Sequence, residues 1–101
     1  MGTMIGKICF IYYKYSPDTV SKGVEYILGN VTDLGLPLPL IDTSKFPNLT
    51  FPMCIVDGNW NNPSGAIAAL QLKADGTLSW VSSYSHMGAY TYMGFIAYIA
   101  K

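Results

Sequence analysis

Ala66-Ile67-Ala68-Ala69-Leu70-Gln71-Leu72-Lys73 and Thr77-Leu78-Ser79-Trp80-Val81 are two short apolar runs joined by Ala74-Asp75-Gly76. An Asp-Gly pair between such runs is a strong local signal for a β-hairpin, because glycine takes the positive φ of the turn. Working outward, a third run from Tyr90 to Ala100 predicts another strand, and the three together predict an antiparallel meander. On the N-terminal side lies a turn-rich stretch, Asp57 to Gly65, and before it Met53 to Val56 reads as a strand. Met4 to Tyr15, rich in Ile, Phe and Tyr, reads as one long strand that stops at Ser16-Pro17-Asp18. Val24 to Leu28 is a further strand candidate, after a Lys22-Gly23 turn. In Leu34 to Leu40, Pro37 and Pro39 remove two donors and fix an extended path, so the segment is expected at an edge or in a connection. Lys45 to Pro52 reads as a loop. The whole predicts a single all-β antiparallel domain over residues 1–101, of about six to seven strands.

Composition narrows the function. Half of the 101 residues are hydrophobic and only 12% are charged, sparse for a chain that works alone in water. Six acidic residues balance six lysines, with no arginine, so no phosphate-neutralising cluster exists and nucleic acid is not an expected partner. Glycine, proline or polar residues interrupt every apolar run before the ~18 residues of a membrane helix, so no membrane insertion is expected. The start, Met1-Gly2-Thr3-Met4, does not resemble a signal peptide, and the second Met fits a fragment of a longer protein. The first and last apolar runs carry bulky residues at both even and odd positions, which predicts burial on both faces. In the last run Tyr90, Tyr92, Ile96 and Tyr98 share one face, and Met93, Phe95, Ala97 and Ile99 the other. At ~25 cal/mol per Å² of apolar area, leaving one face wet wastes several kcal/mol. A neighbouring subunit is the expected cover. Cys9 and Cys54 read as buried free thiols, with a disulfide between them open if adjacent strands bring them together, and one histidine with no Cys-x-x-Cys pattern predicts no metal and no cofactor.

Two loops carry the candidate ligand contacts. Asp57, Asn59, Trp60 and Asn61 combine planar amides and a carboxylate, which match paired hydroxyls, with a ring suited to the C–H face of a pyranose. Ser82 to Gly88 adds hydroxyls, Tyr84 and the sole histidine, His86. Against this, Asn, Asp and Gly are ordinary loop formers, and His86 fits a hydrogen-bonding loop role. No Ser-x-x-Lys, Gly-x-Ser-x-Gly, P-loop or His-Glu-x-x-His pattern occurs, and the six acids fall mostly at turns; an enzyme is not expected.

Several motifs in order bear on a family. They are Gly6-Lys7-Ile8-Cys9-Phe10-Ile11-Tyr12-Tyr13, the Leu34 to Leu40 segment, Phe51-Pro52-Met53, the Leu72-Lys73-Ala74-Asp75-Gly76-Thr77-Leu78 turn, and Tyr92 to Ile99. In this layout the chain resembles the C-terminal head of a phage tail fibre or receptor-binding protein. The resemblance implies a homotrimeric antiparallel β-sandwich or jelly-roll-like head, on a tail fibre or baseplate tip of a virion, that recognises saccharide on a bacterial surface. It implies no particular binding residues. The alternative is a structural trimerisation or capping tip with no ligand; a glycan hydrolase is a third, weaker reading.

Overall fold

The computed structural model describes residues 2–63, 65–88 and 90–101. Met1 and Ser64, which fall in the expected chain start and turn-rich stretch, lie outside these, as does Ala89. Nine strands form among the described residues: β1 Gly2–Ile5, β2 Ile8–Tyr15, β3 Thr19–Val20, β4 Glu25–Asn30, β5 Asn48–Val56, β6 Ile67–Lys73, β7 Thr77–Ser82, β8 His86–Met87 and β9 Thr91–Ile99. Seven make one antiparallel sheet in the order β1-β2-β9-β5-β6-β7-β4; β3 and β8 pair as a separate ribbon. The antiparallel all-β expectation holds, with nine strands where six to seven were expected. The expected Asp-Gly hairpin is present, with Leu72 opposite Leu78 and Gly76 at φ +90°. The turn is fastened from within, where Asp75 Oδ1 accepts from Thr77 N–H (2.9 Å), and from outside, where Asn30 Nδ2 donates to the Asp75 carbonyl (2.9 Å). Asn30 also caps the short 3₁₀ turn Val31–Leu34 that follows β4.

The sheet curls onto itself. In a flat sheet β7 and β9, three strands apart, would lie about 14 Å from each other. Instead the rings of Trp80 on β7 and Tyr92 on β9 have centroids 4.7 Å apart, and Tyr26 on β4 stacks on Trp80 at 4.7 Å. The inward residues alternate along each strand: Cys9 and Ile11 on β2, Met53 and Ile55 on β5, Leu70 and Leu72 on β6, Leu78 and Trp80 on β7, and Tyr92, Ile96 and Tyr98 on β9. They form one core between the walls of an unclosed barrel.

Four readings need correction. Met4 to Tyr15 is not one strand but a hairpin, turning at Gly6 (φ +59°) so that Ile5 faces Ile8. Residues 48–52 are strand, not loop. Pro52 stays in β5 because β5 pairs with β9 only from Met53 onward, so its missing donor falls where the ladder ends. Beyond that point Leu38–Leu40 takes the place beside β9: Leu40 N–H bonds the Ile99 carbonyl (2.8 Å) and Lys101 N–H the Leu38 carbonyl (2.9 Å). The Leu-Pro segment is therefore a connection that pairs at an edge, as expected. Cys54 is exposed, whereas Cys9 is buried, and both thiols are free.

The last correction concerns the two faces. Within the chain only one face of β2 is buried. Ile5, Ile8, Tyr12, Phe95 and Ile99, which pair across β1, β2 and β9, are 46–68% exposed on the outer face. Lys14 is the single charged side chain on this face of β2, and β9 contributes none.

Candidate functional site

Register brings the two candidate loops to one end of the barrel. Val56 on β5 pairs with Thr91 on β9, so Asp57, just past β5, emerges beside Tyr90, just before β9. Asp57 then folds its own loop. Its Oδ1 accepts from Asn59 N–H (2.8 Å) and Asn61 N–H (3.0 Å), and its backbone N–H reaches the Asn61 carbonyl (3.0 Å). Asn62 closes the base, donating from Nδ2 to the carbonyls of Ile55 (3.0 Å) and Ala66 (2.7 Å). Asp57 and Asn62 are thus loop fasteners, and Asn59 and Asn61 remain exposed. Trp60 is displayed at the loop tip, 65% exposed, with φ +63°. A bulky non-glycine residue in the left-handed region is strained, by on the order of 1–3 kcal/mol. Lys14 Nζ sits 5.8 Å from the indole centroid, a weak cation–π contact at an exposed position.

The second loop is organised by aromatic packing. Pairing of Val20 with His86 draws β8 under the β2–β4 crossover and buries the imidazole. His86 Nδ1 lies 3.0 Å from the Gly88 carbonyl, so it carries the proton; a neutral ring then accepts at Nε2 from the Tyr92 hydroxyl (2.8 Å). Tyr90 packs edge-on against His86 at 4.5 Å and Tyr84 lies over it at 5.6 Å. The Tyr90 phenol is pushed above its ordinary range by its hydrogen bond to Tyr84 and the charge of that group, then by burial and the nearby Asp57 charge. His86 therefore holds other rings in place and lies beneath the surface that a ligand would meet. The ring contacts of Tyr84 and His86 are with each other and with Tyr90 and Tyr92, not with Trp60. The six predicted residues share one end of the molecule but form two neighbouring groups.

Compared with protein-family models, curated proteins and solved structures, the chain matches none. The site is read from its own geometry.

A further feature comes from the open seam. β1 and β4 are the edge strands of the sheet, but β1 covers β2 only as far as Ile11; beyond it the second half of β2 lies across the open seam from β4, and the β2–β4 crossover, carrying β3, roofs the gap between them. A cleft of about 440 Å³ opens there, lined by Tyr13, Tyr15, Thr19, Tyr26 and Leu28, with Trp80 also in its wall. A second hollow of about 350 Å³ continues along the seam past Tyr13 and Leu28 towards Asp33. Burial pushes the Tyr13 phenol up to about 12, with the neighbouring Tyr15 adding to it. Trp80 is buried, and its Nε1–H is the one buried side-chain polar atom without a hydrogen-bond partner among the described residues. Sequence reasoning missed this cleft, because Tyr13, Tyr15 and Tyr26 meet only through the curl. It also missed Lys14 and Tyr90. Among the described residues no group of three or more His, Cys, Asp or Glu gathers to hold a metal.

Proposed function

We propose that this chain is a non-enzymatic recognition domain for saccharide on a bacterial surface, acting as a homotrimeric head at the tip of a phage fibre or baseplate. Trp60 carries the reading. An exposed indole held at φ +63° by a loop that is fastened on both sides is retained against backbone strain, and it offers a flat apolar face beside exposed amides. That combination suits the C–H face and hydroxyl edge of a pyranose ring. Asn59 and Asn61 flank this surface and Asp57 positions it, while Tyr84, packed on His86, belongs to the neighbouring group at the same end. The trimer is favoured by the apolar outer face of β1, β2 and β9, which a second copy would cover. One site per chain would bind weakly, and linked copies would raise the effective concentration at a repetitive surface.

A glycan array probed with the assembled protein tests the reading, with Trp60→Ala beside it. Binding to a neutral saccharide, lost about tenfold or more in Trp60→Ala while the melting temperature holds, is the expected result. No hits from a correctly assembled sample would favour the capping-tip alternative, which uses the same apolar face and needs no ligand.

A further inference from the structure

We propose that the seam cleft between β2 and β4 is the subsite that holds one neutral pyranose ring of the ligand, between Tyr13, Tyr15 and Tyr26. This rests on the saccharide reading above and locates it. Three observations lead there. First, the cleft is preformed and of ligand size: about 440 Å³ lies within the range of small-molecule sites. Its walls are fixed, since Tyr26 stacks on Trp80 at 24° between planes and its hydroxyl accepts from Ser21 N–H at 2.9 Å.

Second, none of the lining residues is charged. An ion entering the cleft would lose hydration with no counter-charge to meet it, so anionic and cationic ligands are disfavoured. A hydrocarbon would instead leave the hydroxyls of Thr19 and the tyrosines facing it unmatched. A neutral polyol with apolar faces satisfies both demands: ring faces lie against C–H groups, and hydroxyls meet hydroxyls. Third, Trp80 belongs to the wall of this cleft, and its indole N–H has no acceptor among the described residues. A sugar ring seated against that wall would alter the surroundings of this buried indole.

The chain has two tryptophans, so Trp60→Phe leaves Trp80 as the only one. Neutral di- to tetrasaccharides of hexose and N-acetylhexosamine are titrated into this variant, with Trp80 emission and calorimetry read in parallel. The expected result is a saturable change in Trp80 emission that tracks the heat, and affinity at least tenfold weaker once Tyr15→Ala is added. Tyr15 is half exposed, so that substitution leaves the core packed. Heat without any Trp80 response, at an affinity that Tyr15→Ala does not change, overturns the cleft and leaves saccharide binding at the Trp60 loop. Binding confined to charged saccharides, or heat in the unsubstituted chain that is absent from Trp60→Phe, also overturns it. Absence of heat with every sugar, in the variant and in the unsubstituted chain, removes the saccharide reading itself.

Discussion

Asp57 shows how one side chain can look like a ligand and act as a fastener. Its Oδ1 accepts two backbone N–H groups, so removing it leaves both donors without their partner. Asp57→Ala is expected to destabilise the chain by about 1–2 kcal/mol in urea unfolding. Asp57→Asn keeps the accepting oxygen and should lose clearly less. Equal losses in the two variants would show that the charge, not the turn, is what matters there. The loop reading was available from the sequence, since Asp followed by Gly and Asn folds on itself whatever surrounds it. The role of His86 was only half legible: its hydrogen bonding was expected, but its burial depends on Val20 arriving from sixty-six positions away. Tyr13 is a third case. An unfolded phenol ionises near ~10, whereas the folded chain keeps Tyr13 neutral up to about 12. The folded-state value is the raised one, so stability is intact below the unfolded value and is lost as pH rises through the folded one. Melting temperature should fall between about pH 10 and 12, and Tyr13→Phe should flatten part of that fall.

Among the elements, the β6–β7 hairpin was the most legible because its information is local. Its turn is also anchored to distant residues, which the sequence did not show. A Cβ at Gly76 would strike Asn30 Oδ1 and lie 2.9 Å from Leu38 Cδ2, at a φ of +90° that side chains avoid. Gly76→Ala is expected to lose about 2 kcal/mol or more by urea denaturation. Gly23→Ala serves as a reference: it also has positive φ, but nothing lies within 4 Å, so its loss should be smaller. The β1–β2 hairpin was hidden because a lone glycine in an apolar run gives little sign of a turn. The first half of β5 was hidden because Pro52 looks like a breaker. Only the tertiary arrangement, in which β9 is relieved by the Leu38–Leu40 segment, makes a proline acceptable there.

At the scale of the whole molecule, the outer face of β1, β2 and β9 is the main feature. Five large side chains exposed by 46–68% amount to roughly 500 Å² of apolar surface, near the top of what a monomer normally leaves wet. Phe95→Lys would place a charge at its centre without touching the core. Light scattering should then give a mass near the 11.0 kDa chain in place of three times that value. A monomer from the unsubstituted chain would argue against self-association and would leave the face to some other cover. The apolar character of this face was evident in the alternation along Tyr92 to Ile99. Which face turned outward was not, since that follows from the curl that buries Tyr92 against Trp80. The seam cleft was invisible for the same reason.

The position of β9 has a further consequence. It is the last strand in sequence, yet it lies inside the sheet, between β2 and β5. During synthesis at roughly 5–20 residues per second, the first hairpin waits several seconds for its neighbour to leave the ribosome. Until then the nascent chain carries Ile8 to Tyr15 as an apolar segment with a bare edge, which is a template for wrong pairing. Chaperone capture of translation-arrested chains that stop before Thr91 should therefore greatly exceed that of chains released past Lys101.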